Sequence, residues 1–465
     1  MTAVQTTLSP IDGSVLAERP LATHSEIDAT LTKAQQAQRE WRRLPLGERI
    51  EAVRVFVHAV SYYQEEAALE ITQQMGRPLR DSPGEIAGFI ARAQTMVQLA
   101  PEALADIEPP KREGFTRFIR REPLGVVLVL APWNYPYLTA VNSIVPALLA
   151  GNSIVLKHSD QTPLCAERLT DAARQANLPD GLFTHLHASH DDVAKMVRDE
   201  RVDFVSFTGS VEGGRAVHRA AGGRFIAVGL ELGGKDPAYV RDDADLSHAV
   251  PNLVEGAFYN AGQSCCGIER IYVHQSRFDD FVEAYVEETR KLVLGNPLDT
   301  NTTLGPVVRT RNADAIRAQI QQAVANGAQA LIDPAGFPLA AEGTPYLAPQ
   351  VLIDVNHKMD VMREETFGPL IGIQSVASDE AAIARMNDSA FGLTASVWTP
   401  DVEAALRIGE QVETGTWFLN RCDYLDPELA WTGVKNSGRG CTLSSVGYEH
   451  LTRPKSFHLR TEIDG

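Results

Sequence analysis

The chain has 465 residues, 44% hydrophobic and 22% charged, with a formal net charge of −17. That is a globular composition, with length for two or three domains, and the acidic balance without a basic run argues against nucleic acid or anionic membrane as partners. Met1-Thr2-Ala3-Val4-Gln5 has no targeting character, no apolar run is long enough to span a bilayer, and five cysteines without metal-ligand spacing read as reduced thiols of a cytoplasmic protein that holds no metal.

Residues 25–100 read as amphipathic helices rich in Ala, Gln and Glu. Phe115-Thr116-Arg117-Phe118-Ile119-Arg120 then alternates as an exposed strand does. From Gly125 the pattern changes. Gly125-Val126-Val127-Leu128-Val129-Leu130 is a continuous apolar run, as a strand buried on both faces requires. A helix follows from about Leu138 to Ala150, ended by Gly151. Ser153-Ile154-Val155-Leu156-Lys157 is a second strand, and Thr162-Pro163 opens another helix. Strands near 182–187 and 202–207 follow, each trailed by a helix. Phe225-Ile226-Ala227-Val228 is the fifth apolar run. This βαβαβ series predicts a doubly wound parallel sheet.

After Gly233 a second such series begins. Helices are expected near 246–261, 276–294 and 311–325, and strands near 350–353, 370–373 and 394–397. Ser456-Phe457-His458-Leu459-Arg460 alternates like the 115–120 segment. The two exposed strands either pair and offer an edge to another subunit, or lie separately under loops.

Two chemical elements stand out. Cys265 lies among small, turn-forming residues in Gly262-Gln263-Ser264-Cys265-Cys266-Gly267, and Glu231 lies in Leu230-Glu231-Leu232-Gly233-Gly234-Lys235. A thiol nucleophile and a separate carboxylate base suit covalent catalysis through a thioester. The plainer alternative is a buried small hydrophobe and a solvated carboxylate. Phe207-Thr208-Gly209-Ser210 ends a strand and opens a helix, where backbone N–H groups and the Ser210 hydroxyl suit a pyrophosphate, with Gly209 allowing a tight turn. It departs from the G-x-G-x-x-G fingerprint. Lys157 and Asp160 end an earlier strand, where ribose hydroxyls bind in doubly wound folds. A polar loop is the alternative.

Taken in order, Ala131-Pro132-Trp133-Asn134-Tyr135-Pro136, Lys157-His158-Ser159-Asp160, Phe207-Thr208-Gly209-Ser210, Glu231-Leu232-Gly233-Gly234-Lys235, Gly262-Gln263-Ser264-Cys265, Glu364-Glu365-Thr366-Phe367-Gly368-Pro369 and Trp431-Thr432-Gly433-Val434-Lys435-Asn436-Ser437-Gly438 make the whole chain resemble the NAD(P)-dependent, hydrolytic aldehyde dehydrogenase superfamily. The resemblance implies an α/β fold with a Rossmann-like NAD-binding domain (residues 1–108 and 124–232). It also implies an α/β catalytic domain (233–445) and a small β oligomerisation flap (109–123 and 446–465). It implies Cys265 as nucleophile, Glu231 as the base that activates water, and Asn134 as oxyanion donor. The cofactor set it implies is Trp133, Lys157, Ser159, Asp160, Thr208, Gly209, Ser210, Leu232, Glu365 and Phe367. NAD is the expected cofactor, with NADP tolerated, because Asp160 repels a 2′-phosphate.

The chain departs from the family pattern at His158-Ser159-Asp160, at Trp431-Thr432 and after Gly438-Arg439. Tyr135, Asn142, Tyr259, Ser264, Cys266, Tyr424 and Trp431 fall at positions that resemble substrate-tunnel walls. Those walls point to an uncharged aliphatic or aromatic aldehyde. The alternatives are a succinate-semialdehyde-type dehydrogenase, a CoA-acylating enzyme and a non-catalytic structural member. The intact Cys265, Glu231 and Asn134 speak against the last two. Arg421, nearby in sequence, could supply the arginine that the first expects. The only other expected partner is the chain itself, as homodimer or homotetramer.

Overall fold

The computed structural model describes residues 3–463; residues 1–2 and 464–465, at the ends of the expected first domain and flap, lie outside the described residues. Two sheets organise the chain. The first runs in the order Gly438–Arg439, Ala227–Glu231, Val202–Thr208, Val126–Ala131, Ser153–His158, Phe183–His185. All its pairings are parallel except that of Gly438–Arg439.

Every residue of Val126–Ala131 is buried, because helices cover both faces. Alternate side chains serve alternate layers. Val127 and Val129 pack with Phe56, Phe89 and Ile144 of helices Leu46–Ser61, Pro83–Ala103 and Pro136–Ala150. Val126, Leu128 and Leu130 pack with Leu31, Met196 and Val217 on the other face. The expected strand at 225–228 begins two residues later, at Ala227, and Phe225 is exposed. Gly438–Arg439, from within the expected catalytic segment, crosses back to close the edge of the first sheet. An N-terminal hairpin, Val4–Leu8 with Val15–Pro20, was not foreseen from sequence.

The second sheet has the order Gln329–Ala330, Gln350–Ile353, Leu370–Val376, Ile268–His274, Asp236–Val240, Thr394–Trp398, Thr416–Leu419. Its two central strands, Asp236–Val240 and Ile268–His274, have no counterpart in the expected elements. Charged residues disguise them: Asp236, Glu269 and Arg270 are buried there, each with partners. Asp236 accepts from the backbone N–H and hydroxyl of Thr394. Arg270 donates to the backbone oxygens of Lys235 and Met386.

Phe115–Pro123 and Thr452–Arg460 do pair, antiparallel over nine residues each. Phe118 stacks on Phe457 at 4.4 Å across them. The two sheets are joined in sequence at residues 231–236. The carboxyl end of Ala227–Glu231 therefore opens toward the amino end of Asp236–Val240, and the crevice lies between the sheets.

Candidate active site

Asn134, Thr208 and Glu231 all follow from carboxyl ends of parallel strands of the first sheet, where such folds bind ligands. Cys265 and Glu365 come from the other side, in loops that precede strands Ile268–His274 and Leu370–Val376. Thr208, Glu231, Ser264, Cys265 and Cys266 line one cavity of about 540 Å³. Tyr135, Asn142, Tyr259, Tyr424 and Trp431 line it too, so all seven expected tunnel residues meet in one place.

The turn before Cys265 is unusual. Asn260, Ala261 and Gly262 have φ of 54°, 55° and 71°, three successive left-handed residues. For the two non-glycines this conformation costs on the order of 1–2 kcal/mol each. Their surroundings hold it. Asn260 Nδ2 donates to the Asn134 and Gln263 carbonyls at 3.2 Å, and the N–H of Val308 donates to Gln263 Oε1 at 2.8 Å. Asn134 is buried, and its Nδ2 donates to the Gln263 carbonyl at 3.2 Å. The amide is thereby fixed beside the loop that carries Cys265.

The two cysteines differ. Cys265 is partly exposed and Cys266 is buried. Cys266 Sγ donates to Asp423 Oδ1 at 3.0 Å, and Ser264 Oγ donates to the same oxygen at 2.8 Å. A hydrogen bond with Cys265, burial and the Asp423 carboxylate push the Cys266 thiol well up. It is held as a thiol, and Cys265 is the more exposed of the two.

Glu231 is held from both sides. Thr208 Oγ1 donates to its Oε2 at 3.1 Å, and Thr442 Oγ1 donates to its Oε1. Burial raises its carboxyl above the ordinary range, and the two hydroxyls work against that rise. A carboxylate with a raised pKa is a stronger base at neutral pH.

Part of the cavity lining is a buried frame. The Arg77 guanidinium pairs with Glu85, donates to the Asn134 carbonyl and to Asn260 Oδ1, and lies over the Tyr135 ring at 4.5 Å. Glu85 Oε1 accepts the N–H groups of Tyr137 and Leu138, the first turn of helix Pro136–Ala150. Sequence reading did not single out Arg77, Glu85, Asp423 or Thr442. It also missed Arg92, which lines the cavity. Glu85, Gly88 and Arg92 recur at helical spacing on Pro83–Ala103, a helix whose other face is buried. Charged residues with a glycine on one face of an otherwise apolar helix were the available signal. Arg92 donates to the Leu138 carbonyl at 2.6 Å and to Asn142 Oδ1 at 3.3 Å. Among the described residues no carboxylate forms an ion pair with Arg92 or Arg421.

The residues expected to hold a dinucleotide come from loops at the carboxyl ends of first-sheet strands and from the loop before Leu370–Val376. Ser210 caps helix Val211–Ala221, its Oγ accepting from the Gly213 N–H at 3.2 Å; the other backbone N–H groups of the first turn are of the kind that bind anions. Gly209 is not among the positive-φ residues; an added Cβ there would meet the Phe207 ring at 2.8 Å, so close approach rather than turn conformation asks for glycine. Leu232 is buried against Gly214.

Trp133 packs edge-on to Phe367, whose φ is 52°. Glu365 accepts the Gly234 N–H at 3.1 Å and lies so close over Gly233 that an added Cβ would meet it at 2.2 Å. Burial and the nearby Glu269 push its carboxyl to about 8. The other Glu365 oxygen makes no hydrogen bond among the described residues, leaving a polar group for a ribose hydroxyl. Burial pushes the Lys157 ammonium down. Ser159 donates to Asp160 Oδ1 at 3.3 Å. A helix N-terminus, a free carboxyl oxygen and an aromatic pair together fit a dinucleotide. Among the described residues no group of His, Cys, Asp or Glu could hold a metal ion, and no helix is long and apolar enough to cross a membrane.

Comparison with known proteins agrees with this geometry. The sequence profile of the aldehyde dehydrogenase family matches residues 2–457. The NAD(P)+ succinate semialdehyde dehydrogenase Sad of Escherichia coli (strain K12) is 34% identical over 440 residues, 95% of this chain and 94% of that one. A 3,6-anhydro-alpha-L-galactose dehydrogenase of Streptomyces coelicolor is 33% identical over 465 residues, 98% of this chain and 93% of that one. The solved structure of an NAD-dependent aldehyde dehydrogenase from Sinorhizobium meliloti has a TM-score of 0.95 at 30% identity, covering 100% of this chain and 92% of that one.

Proposed function

The chain belongs to the aldehyde dehydrogenase family, and on that premise we propose that it oxidises a short aldehyde bearing a carboxylate, of the succinate semialdehyde type, to the acid with NAD(P)+ and water. Cys265 attacks the aldehyde carbon as a thiolate. The Asn134 amide and the Cys265 N–H take up the oxyanion that forms, a contact worth about 3–4 kcal/mol in comparable sites. When bound, NAD(P)+ supplies the hydride acceptor. What remains on Cys265 is a thioester. Glu231 removes a proton from the attacking water, and the acid leaves.

The convergence of Cys265 and Glu231 on one cavity carries the chemistry. The presence of Glu231 as a base favours water over CoA as the acyl acceptor. The substrate class rests on Arg92. The sequence pointed to aromatic walls and an uncharged aldehyde, but the cavity also holds a guanidinium without a carboxylate partner. A half-buried guanidinium whose hydrogen-bond partners are neutral carbonyl oxygens has no matched counter-charge in contact, and that is unfavourable. A substrate carboxylate at the far end of a short chain would relieve that cost through a charge-assisted hydrogen bond. The similarity to the Escherichia coli succinate semialdehyde dehydrogenase supports the same reading.

The test is NADH formation with a panel of aldehydes, with and without CoA. Succinate semialdehyde should give the higher kcat/KM, and CoA should not change the rate. Arg92→Met should raise KM for the semialdehyde roughly tenfold to a hundredfold, the effect of one charged hydrogen bond, and leave a neutral aldehyde nearly unaffected. An equal loss for both aldehydes would remove Arg92 from substrate recognition.

A further inference from the structure

The adenosine end of the crevice carries an ion pair that joins distant parts of the chain. In a doubly wound sheet the region after the second strand meets the adenosine ribose. An acidic residue there hydrogen-bonds the 2′-hydroxyl, whereas a nearby arginine accommodates a 2′-phosphate. This chain has both, in contact. Ser153–His158 is the second strand of the series, and Asp160 follows it. Arg309 arrives from the other half of the sequence as the residue before helix Thr310–Ala325.

Arg309 Nη2 lies 3.0 Å from Asp160 Oδ1, and Arg309 Nε donates to Gln161 Oε1 at 3.0 Å. The loop beneath is fixed from the other side. Thr7 Oγ1 and Gln5 Nε2 donate to the Asp160 carbonyl at 2.7 and 3.2 Å. The charged ends stay open to solvent: the side chains are 58% exposed for Asp160 and 28% for Arg309. The remaining charged group here is the Lys157 ammonium. His158 is held neutral between the Pro136 carbonyl and Thr162, with burial pushing it down to about 4. Two cations therefore face one carboxylate.

We propose that Arg309 sets the dinucleotide choice of this enzyme. It turns from Asp160 to the 2′-phosphate of NADP, and stays paired with Asp160 when NAD presents a ribose diol. This rests on the dinucleotide reading of the crevice given above. A planar guanidinium suits both partners, because carboxylate and phosphate each accept two parallel N–H donors from it. Asp160 opposes the 2′-phosphate only as far as its charge is unpaired, so the pair brings the two cofactors close together in affinity. A lysine at position 309 would offer a point charge without the fork, and would serve less well.

The experiment measures binding, without turnover. NADH and NADPH are titrated into wild type, Arg309→Met, Arg309→Lys and Asp160→Asn by the fluorescence of the bound nicotinamide. Adenosine 2′,5′-bisphosphate and AMP serve as fragments. Wild type should bind both dinucleotides. Arg309→Met should weaken NADPH and the bisphosphate roughly tenfold to a hundredfold, the loss of a charged hydrogen-bonding partner, with NADH and AMP within about twofold. Arg309→Lys should recover part of the loss, and Asp160→Asn should tighten NADPH. Retained NADH binding shows that the Arg309→Met variant is folded. Loss of both dinucleotides alike, or of neither, overturns the assignment of Arg309. A wild type that binds neither dinucleotide overturns the crevice reading, and this inference with it.

Discussion

Cys265 and Cys266 are adjacent and chemically alike, and their surroundings separate them. Both line the cavity, but Cys266 is buried with its thiol donating to Asp423, while Cys265 is the more exposed. Cys265→Ala should therefore abolish aldehyde oxidation, and Cys266→Ala should retain most of it. Labelling with a thiol reagent and mapping the modified residue checks the same point; an essential, alkylated Cys266 would reverse the assignment. Thr442 offers a test of the base. Its hydroxyl stabilises the Glu231 carboxylate and so lowers a pKa that burial has raised. Glu231 works deprotonated, so activity falls as pH drops through that pKa. Thr442→Val removes a stabiliser of the charged form, and the acid limb of the kcat profile should move to higher pH. A limb that stays in place or moves down would mean that the titrating group is not Glu231. Cys265, Glu231 and Asn134 were legible because each sits in a distinctive local run of residues. Thr442 and Asp423 were not, because they reach the site through tertiary contacts that no local pattern announces; Arg92 shows only in the helical recurrence of Glu85, Gly88 and Arg92.

At the scale of elements, the loop that carries Glu365 and Phe367 is fixed by a buried ion pair. Lys235 Nζ lies 2.6 Å from Glu269 Oε2 and donates to Thr366 Oγ1 at 3.0 Å. Glu269 in turn accepts the N–H groups of Thr366 and Phe367. Glu269→Ala would leave Lys235 buried and unpaired, a change that costs about 3–5 kcal/mol. Denaturant unfolding should show that loss, and dinucleotide binding should weaken with it; a change below about 1 kcal/mol, the range of an exposed pair, would show that the pair is not structurally important. The same pair explains why the centre of the second sheet was hard to read. Strand recognition relies on apolar runs, and Asp236-Pro237 and Glu269-Arg270 interrupt both central strands with charge and proline. Their partners come from elsewhere in the chain. The central strands of the first sheet were readable because Val126–Ala131 and Ile154–Leu156 are continuous apolar runs buried on both faces.

For the whole molecule, the Phe115–Pro123 and Thr452–Arg460 ribbon is the least self-sufficient part. Two strands alone are marginal in water; among the described residues Thr452–Arg460 pairs with no other strand, and the far edge of Phe115–Pro123 is met mainly at Ile119, by a bridge to Ile107. Its alternation was visible in the sequence, which left open whether the two strands pair or lie separately under loops. We expect a second subunit to complete it, giving at least a two-fold dimer. Light scattering should report a multiple of the 50.7 kDa chain mass, and removing residues 450–465 should weaken association; a stable monomer at micromolar concentration would refute the expectation. If Cys265 forms a thioester that Glu231 resolves with water, intact-mass measurement on Glu231→Gln, mixed with NAD+ and a reactive aldehyde, should show it. A rapid burst of NADH close to one equivalent, slow turnover afterwards, and an acyl adduct that maps to Cys265 are expected. Full steady-state turnover without an adduct would contradict it.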